Sequence, residues 1–216
     1  MPMVTSGVTR ILLISGSTRD GSTNTAALRT ACAIAPKGVE ARRYTGLLEL
    51  PAFVPGVDPA AYPAVVGLRD DLAWADAVLI STPEYAGTLP GSLKNLLDWT
   101  VGTADLHEKP TAWLTVAAKG RGDGATATLA SVLGYVGADI VTTACVRLPV
   151  LSADIGADGL VAARGFRDGV LEALDALMGH GKTRTGAIRD FVGAAEEGAF
   201  AAPLEPDIEN RLWNHR

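Results

Sequence analysis

The sequence predicts a doubly wound α/β protein in which five parallel strands alternate with five amphipathic helices. Short, nearly continuous apolar runs recur along the chain, as strands buried on both faces require. Between them lie segments whose apolar residues keep i, i+3, i+4, i+7 spacing, the signature of a one-sided helix. Strands alternating with helices imply right-handed crossovers and helices on both faces of the sheet.

The elements follow in order. Strands are predicted at residues 11–15 (ILLIS), 38–44, 77–81 (AVLIS), 112–117 (AWLTVA) and 140–148 (IVTTACVRL), the last mixed in character and suited to an edge. Leu28, Ala31, Cys32 and Ala35 mark the first helix, and Leu68, Leu72 and Ala75 the second. Leu89, Leu93, Leu96 and Leu97 mark the third, Leu129, Val132, Leu133 and Val136 the fourth, and Phe166, Val170, Leu174, Leu177 and Met178 the fifth. Beyond it, Ile188, Phe191, Val192 and Ala195 suit one more helix before Pro203 and Pro206 interrupt. Ile208, Leu212 and Trp213 form a last apolar cluster. The expected organisation is a disordered lead over 1–8, one domain over 9–181, and a helical, docked extension over 182–216.

Bulk properties narrow the function classes. The 216 residues suit one well-buried domain with an extension. A net charge of -5 gives no electrostatic reason to expect nucleic acid or an anionic membrane as partner. No apolar run is long enough to span a bilayer. Residues 1–7 lack the basic and apolar regions of a signal peptide. Cys32 and Cys145 stand apart in apolar stretches, outside any CxxC pair, and are expected to be buried free thiols of a reducing cytoplasm. No metal site is expected, and His107, His180 and His215 read as surface residues.

Two loops carry the chemistry. The first strand runs into Gly16-Ser17-Thr18-Arg19-Asp20-Gly21-Ser22-Thr23-Asn24, with a helix beginning near Asn24. Backbone N–H groups and the positive dipole end of a helix favour a phosphate there. Ser17, Ser22, Thr23 and Asn24 add neutral donors, and Arg19 adds a charged, bidentate one. Ser22 stands where a P-loop needs lysine, and Thr18 where a dinucleotide fingerprint needs its second glycine. The alternative is a helix-capping cluster, which accounts for one such residue rather than five around an arginine.

The third strand leads into Thr82-Pro83-Glu84-Tyr85-Ala86-Gly87-Thr88-Leu89-Pro90. Ala86 and Gly87 let backbone approach a ligand, Tyr85 offers a ring face, and Pro90 suits a helix first turn. In a sheet of order 2-1-3-4-5, the first and third strands flank the switch point where ligands bind. Phosphate on the first loop and a flat ring on the second form a consistent pair.

Together the two segments resemble the NADPH-dependent FMN reductase family of the flavodoxin-like superfamily. Its first signature, roughly GSxRxxSxN, matches Gly16, Ser17, Arg19, Ser22 and Asn24. Its second, roughly PEYxxxxPxxLKNxxDW, matches Pro83, Glu84, Tyr85, Pro90, Leu93, Lys94, Asn95, Asp98 and Trp99. The resemblance spans residues 10–179 and implies a flavodoxin-like doubly wound five-stranded parallel sheet with helices on both faces. It implies an FMN phosphate held by Ser17, Arg19, Ser22, Thr23 and Asn24, and a flavin ring held by Pro83, Glu84, Tyr85, Ala86 and Gly87. It also implies ring contacts from the loop after the fourth strand, here Ala117-Ala118-Lys119-Gly120-Arg121-Gly122-Asp123-Gly124, with Ala118, Lys119 and Gly120 as the site residues; the alternative is that Lys119 and Arg121 meet the phosphates of a nicotinamide cofactor. Many members carry Asn where Ala86 stands, and Ser where Ala117 and Ala118 stand.

The resemblance further implies hydride transfer from NADPH or NADH through FMN to a flavin, quinone, azo compound or metal ion. The flavin carries that chemistry, so no catalytic side chain is assigned. Homodimer or homotetramer is the family expectation. The rival reading is an electron carrier or flavin-binding module without nicotinamide turnover.

Overall fold

The computed structural model describes residues 7–196, with side chains through His180. The chain divides into two compact units, Met1–Gly181 and Lys182–Arg216, and the sheet belongs to the first. The expected lead at 1–6, and Pro203, Pro206, Ile208, Leu212 and Trp213, lie outside the described residues.

Six strands form the sheet: β1 Thr9–Ser15, β2 Val39–Tyr44, β3 Ala77–Ser81, β4 Pro110–Thr115, β5 Asp139–Ile140 and β6 Val146–Arg147. Their order is β2-β1-β3-β4-β5, with β6 also paired to β4. Every pairing is parallel. Among the described residues there are five α-helices: α1 Thr23–Ala33, α2 Pro63–Trp74, α3 Gly91–Trp99, α4 Asp123–Tyr135 and, after the last strand, α5 Arg164–Glu196. Among the described residues no helix is long and apolar enough to cross a membrane.

The layers follow from strand alternation. In β1, Ile11 and Leu13 face a cluster built with Leu28 of α1 and Val170, Leu174 and Leu177 of α5. Leu12 and Ile14 face the opposite cluster, with Leu68 and Leu72 of α2, Leu93, Leu96 and Leu97 of α3 and Leu129 and Leu133 of α4. All five residues of β3 are buried, as a central parallel strand requires. Each fully buried Leu or Ile is worth about 1.5–3 kcal/mol over its exposed state, so these two faces supply most of the drive to fold.

Two expectations change. The predicted strand over 140–148 is broken into β5 and β6 by a 3-10 turn at Thr142–Ala144. Val141 and Ala144 are both buried while Thr142 and Thr143 are exposed. An i, i+3 burial pattern belongs to the 3-10 period, not to a strand. The two helices read over 166–195 are one continuous helix, α5. Cys32 and Cys145 are free, and half-buried rather than fully so.

The long connection from β2 to α2 is fixed by α3. Asn95 accepts from the Phe53 N–H at 2.8 Å and donates to the Pro51 carbonyl at 2.9 Å. One helical turn on, the Trp99 indole N–H donates to the same carbonyl at 2.9 Å. The Trp99 ring packs edge-on against Phe53 at 5.1 Å. The motif residues Asn95 and Trp99 thus serve architecture.

At the end of β2, Tyr44 is buried and its hydroxyl has no hydrogen-bond partner among the described residues. Burial first, then the carboxylates of Asp71 and Glu49, push its phenol up to about 12. An unfolded tyrosine titrates near 10. Below about pH 10 its contribution to stability is complete; between about 10 and 12 the native chain holds a proton the unfolded chain has released, so stability falls. Tyr44→Phe is expected to flatten that alkaline fall in urea titrations and to keep or raise stability at neutral pH. An alkaline slope equal to that of the wild type would contradict this assignment.

Candidate functional site

The carboxyl ends of β1, β3 and β4 meet at one rim. The Gly16 N–H donates to the Ser81 carbonyl at 2.8 Å, extending the β1–β3 pairing into the first loop. A Cβ on Gly16 would stand 2.4 Å from the Thr82 hydroxyl oxygen, so the first and second loops touch at a point only glycine permits. Ser22 is the N-cap of α1, in extended backbone, and makes no side-chain cap bond; no acidic residue lies in the first turn. The leading amides of α1 therefore keep their capacity for an anion.

The first-loop residues are not equivalent. Ser22 and Asn24 are buried, Ser17 and Thr23 half-buried, and Arg19 exposed. The Arg19 N–H donates to the Ser17 hydroxyl at 3.4 Å, closing a small local turn. Asn24 turns its amide toward the sheet, where its Oδ1 lies 2.9 Å from the Ser81 hydroxyl. That hydroxyl also lies 2.8 Å from the Leu114 carbonyl of β4. Asn24 is thus a joint between α1 and the sheet, and what it offers a ligand comes from its backbone N–H.

In the second loop Pro83 is half-buried, and Glu84, Tyr85, Ala86 and Gly87 are exposed. Tyr85 and Thr88 exchange two backbone hydrogen bonds of 3.0 Å around a tight turn. Ala86 and Gly87 at its centre have φ of 50° and 77°, the arrangement of a type I′ turn. The Glu84 carboxylate is not free: its Oε2 accepts from the N–H groups of Gly124 at 2.7 Å and Ala125 at 3.1 Å. It caps α4 from another loop, joining like the N-terminal cap of any helix a carboxylate to the positive dipole end. A Cβ on Gly124 would stand 2.1 Å from the Gly87 carbonyl oxygen, so this contact too requires glycine.

Ala118, Lys119 and Gly120 form an exposed turn after β4. The contact with the second loop is made by Gly124 and Ala125, a few residues later. Arg147 of β6 gathers the turn from beneath. Its Nη1 donates to the carbonyls of Ala117 at 3.1 Å, Ala118 at 3.2 Å and Arg121 at 2.7 Å. Its Nη2 pairs with Asp123 in the first turn of α4. Arg147 and Ser81 are the site residues that sequence reasoning passed over; Gly124 fell within the loop it expected at the ring, but its contact with Gly87 left no signal in the sequence.

Removing the Arg147 fork should cost about 1.5–3 kcal/mol, the range for hydrogen bonds to charged groups. In Arg147→Ala, hydrogen exchange should speed at the Arg121 amide, which donates to Ala118 within this turn. Arg147→Lys should restore little, since an ammonium lacks the fork. Unchanged exchange in both variants would contradict the positioning role. At the type I′ turn, Ala86→Gly should raise stability by about 0.5–1 kcal/mol, the left-handed penalty of a Cβ less the extra entropy of glycine. A lowered urea midpoint would contradict it.

Comparison with known proteins gives the family. The family model of NADPH-dependent FMN reductases matches residues 9–149. An NAD(P)H-dependent FMN reductase of Pseudomonas aeruginosa is 38% identical over 91 residues, 42% of this chain and 49% of the relative. A quinone reductase of Escherichia coli is 36% identical over 92 residues, with 42% and 49% coverage. The chain thus spans about half the length of the curated relatives it matches. A flavoenzyme NAD(P)H:(acceptor) oxidoreductase of Paracoccus denitrificans superposes with a TM-score of 0.68 at 25% identity, over 82% of this chain and 98% of that one. By its flavodoxin-like strand order, its two loop signatures and the family match across β1 to β6, the chain belongs to the NADPH-dependent FMN reductase family.

Proposed function

We propose that the chain binds FMN at the rim and works as an NAD(P)H-dependent flavoprotein reductase for a small acceptor. The observation that carries this reading is the uncapped start of α1 beside a second loop whose own charge, Glu84, is already spent on α4. The residues fit the group. Amides of Ser22, Thr23 and Asn24 with the Ser17 hydroxyl and the Arg19 guanidinium offer a phosphate both neutral and charged donors. Pro83, Glu84, Tyr85, Ala86 and Gly87 offer a ring flat backbone and an aromatic side chain that is half exposed. Ala118, Lys119 and Gly120 close the third side of the place for the ring.

When bound, FMN supplies the redox chemistry, accepting hydride from the nicotinamide and passing electrons on. The chain's part is positional. The Glu84 cap and the Arg147 fork hold the second and third loops at one spacing, and these two loops would hold the ring. No side chain at the rim is asked to move a proton. A quinone is the acceptor class best supported, from the printed name of the Escherichia coli relative.

Association into a homodimer or homotetramer belongs to the same reading, from the family resemblance. The free thiols of Cys32 and Cys145 suit a reducing cytoplasm. The test is the visible spectrum of the purified protein, with FMN added if it is colourless, followed by anaerobic NADPH and NADH. Flavin bands that bleach with either nicotinamide are expected. Bands that persist with both would leave an electron carrier, and failure to take up FMN would overturn the site.

A further inference from the structure

The start of α4 carries more negative charge than a helix cap needs. Gly122 at the N-cap position has no side chain to offer. The cap comes instead from the second loop, where the Glu84 carboxylate accepts from the amides of Gly124 at 2.7 Å and Ala125 at 3.1 Å. A neutral hydroxyl or amide side chain caps a helix about as well as a carboxylate. Two neutral contacts also hold this loop to this helix. The Thr88 and Thr128 hydroxyls lie 3.0 Å apart, and the Gly87 carbonyl fills the space that a Cβ on Gly124 would need. The spacing of loop and helix therefore does not require a charge at position 84.

The charges at this junction leave a remainder. A helix start presents roughly half a positive charge. Asp123, in the first turn, is already paired with Arg147. Glu84 sets a full negative charge against that half, so roughly half a negative charge remains at the second loop. Glu84 is exposed and forms no ion pair among the described residues. Lys119 and Arg121, exposed on the third loop, keep their charge whatever stands at position 84.

We infer that Glu84 sets the redox poise of the site: its uncompensated charge disfavours the reduced ring and holds the midpoint potential of bound FMN below the value that a neutral cap would give. This inference rests on the FMN reading above. Reduction by a nicotinamide moves a hydride, two electrons and one proton, from the nicotinamide C–H bond to the flavin. The nicotinamide leaves as a cation and the flavin ring keeps one negative charge. A negative charge on the loop that holds the ring is felt by the reduced ring and not by the neutral oxidised one. A lower potential makes the reduced flavin a stronger donor to the acceptor and a weaker taker from the nicotinamide. The Glu84 carboxylate moves no proton in this step; it acts through its charge while its oxygen stays on the α4 amides.

The test is the midpoint potential of the FMN-loaded wild type, Glu84→Gln and Glu40→Gln, each read against a reference dye. Glutamine keeps a carbonyl oxygen for the two amides and removes only the charge. Glu40 is exposed in β2 and in register with Arg10, near the amino ends of the strands and away from the rim, so its variant makes the same change in net charge elsewhere. Glu84→Gln should favour reduced over oxidised FMN by about three- to tenfold more than the wild type, a rise of about 15–30 mV for a two-electron couple. The rise should shrink between about 0.01 M and about 1 M salt, as the Debye length falls from about 30 Å to about 3 Å. Glu40→Gln should move the potential less. In the ligand-free chain, the Gly124 and Ala125 amides should stay protected from hydrogen exchange in Glu84→Gln. A potential that is unchanged or lowered in Glu84→Gln, or raised equally in Glu40→Gln, would overturn the inference. So would faster exchange at those two amides or loss of FMN by Glu84→Gln, which would assign the carboxylate to holding the loop. The dye titration needs no nicotinamide. A wild type that takes up FMN but is not bleached by NADPH or NADH would therefore sink the reductase reading and leave this inference standing. A wild type that takes up no FMN would overturn both.

Discussion

The site depends on a buried hydroxyl. Ser81, the last residue of β3, is wholly inaccessible, and its Oγ lies within 2.9 Å of Asn24 and 2.8 Å of the Leu114 carbonyl. Three segments that are distant in sequence, the first turn of α1, the end of β3 and the end of β4, therefore share one polar atom. The hydroxyl has one proton, so it serves one acceptor at a time. Such a group is worth about 1 kcal/mol when paired and costs about 1–3 kcal/mol when stranded. The close approaches of Gly16 to the Thr82 side chain and of Gly124 to the Gly87 backbone continue the same joint outward. Close packing at these two points couples the loops to one another.

Most of the charge at the rim is spent on that backbone. Glu84 bonds to two amides of α4, and Arg147 to three carbonyls of the third loop. Asn95 and Trp99, one turn apart on α3, fasten the β2–α2 connection through Pro51 and Phe53. Lys94 and Asp98 pair with each other along the same helix. A signature rich in polar residues thus divides into a short stretch that offers backbone to a ligand and a longer stretch that holds the scaffold still.

The strands and helices were legible because burial on two faces leaves unbroken apolar runs and burial on one face leaves a 3.6 period. Ile11 to Ile14 and Leu93 to Leu97 are plain cases. The break in the fifth strand was not, since Val141 and Ala144 fit a strand and a 3-10 turn equally until β4 supplies the partner. The loops were legible by composition, as glycine and hydroxyl residues at a strand end. What each polar side chain bonds to was not. Glu84 meets α4 forty residues on, and Arg147 meets the third loop 26 to 30 residues back. Sequence spacing carries no record of such approaches. For the same reason Arg42 and Arg43 look alike in the sequence, and only the pleat of β2 sends one to Asp71 and the other to the opposite face of the sheet.

The rim also sorts charge by how its helices begin. α4 starts with Asp123 in its first turn and the Glu84 carboxylate on its amides, so its positive end is met by the protein itself. α1 starts with neither a side-chain cap nor an acidic residue, although Ser22 stands at the capping position and Thr23 beside it. Two helix ends that approach one site would otherwise compete for the same anion. Neutralising one and leaving the other open directs an anionic group to the β1 side and leaves the β4 side with backbone donors but little net field. A ligand with a phosphate at one end and a neutral, polarisable ring at the other is oriented by that asymmetry before any side chain touches it. The same asymmetry lessens the repulsion that Glu84, exposed at the mouth of the site, exerts on an anion, because part of its charge is offset by the dipole it caps.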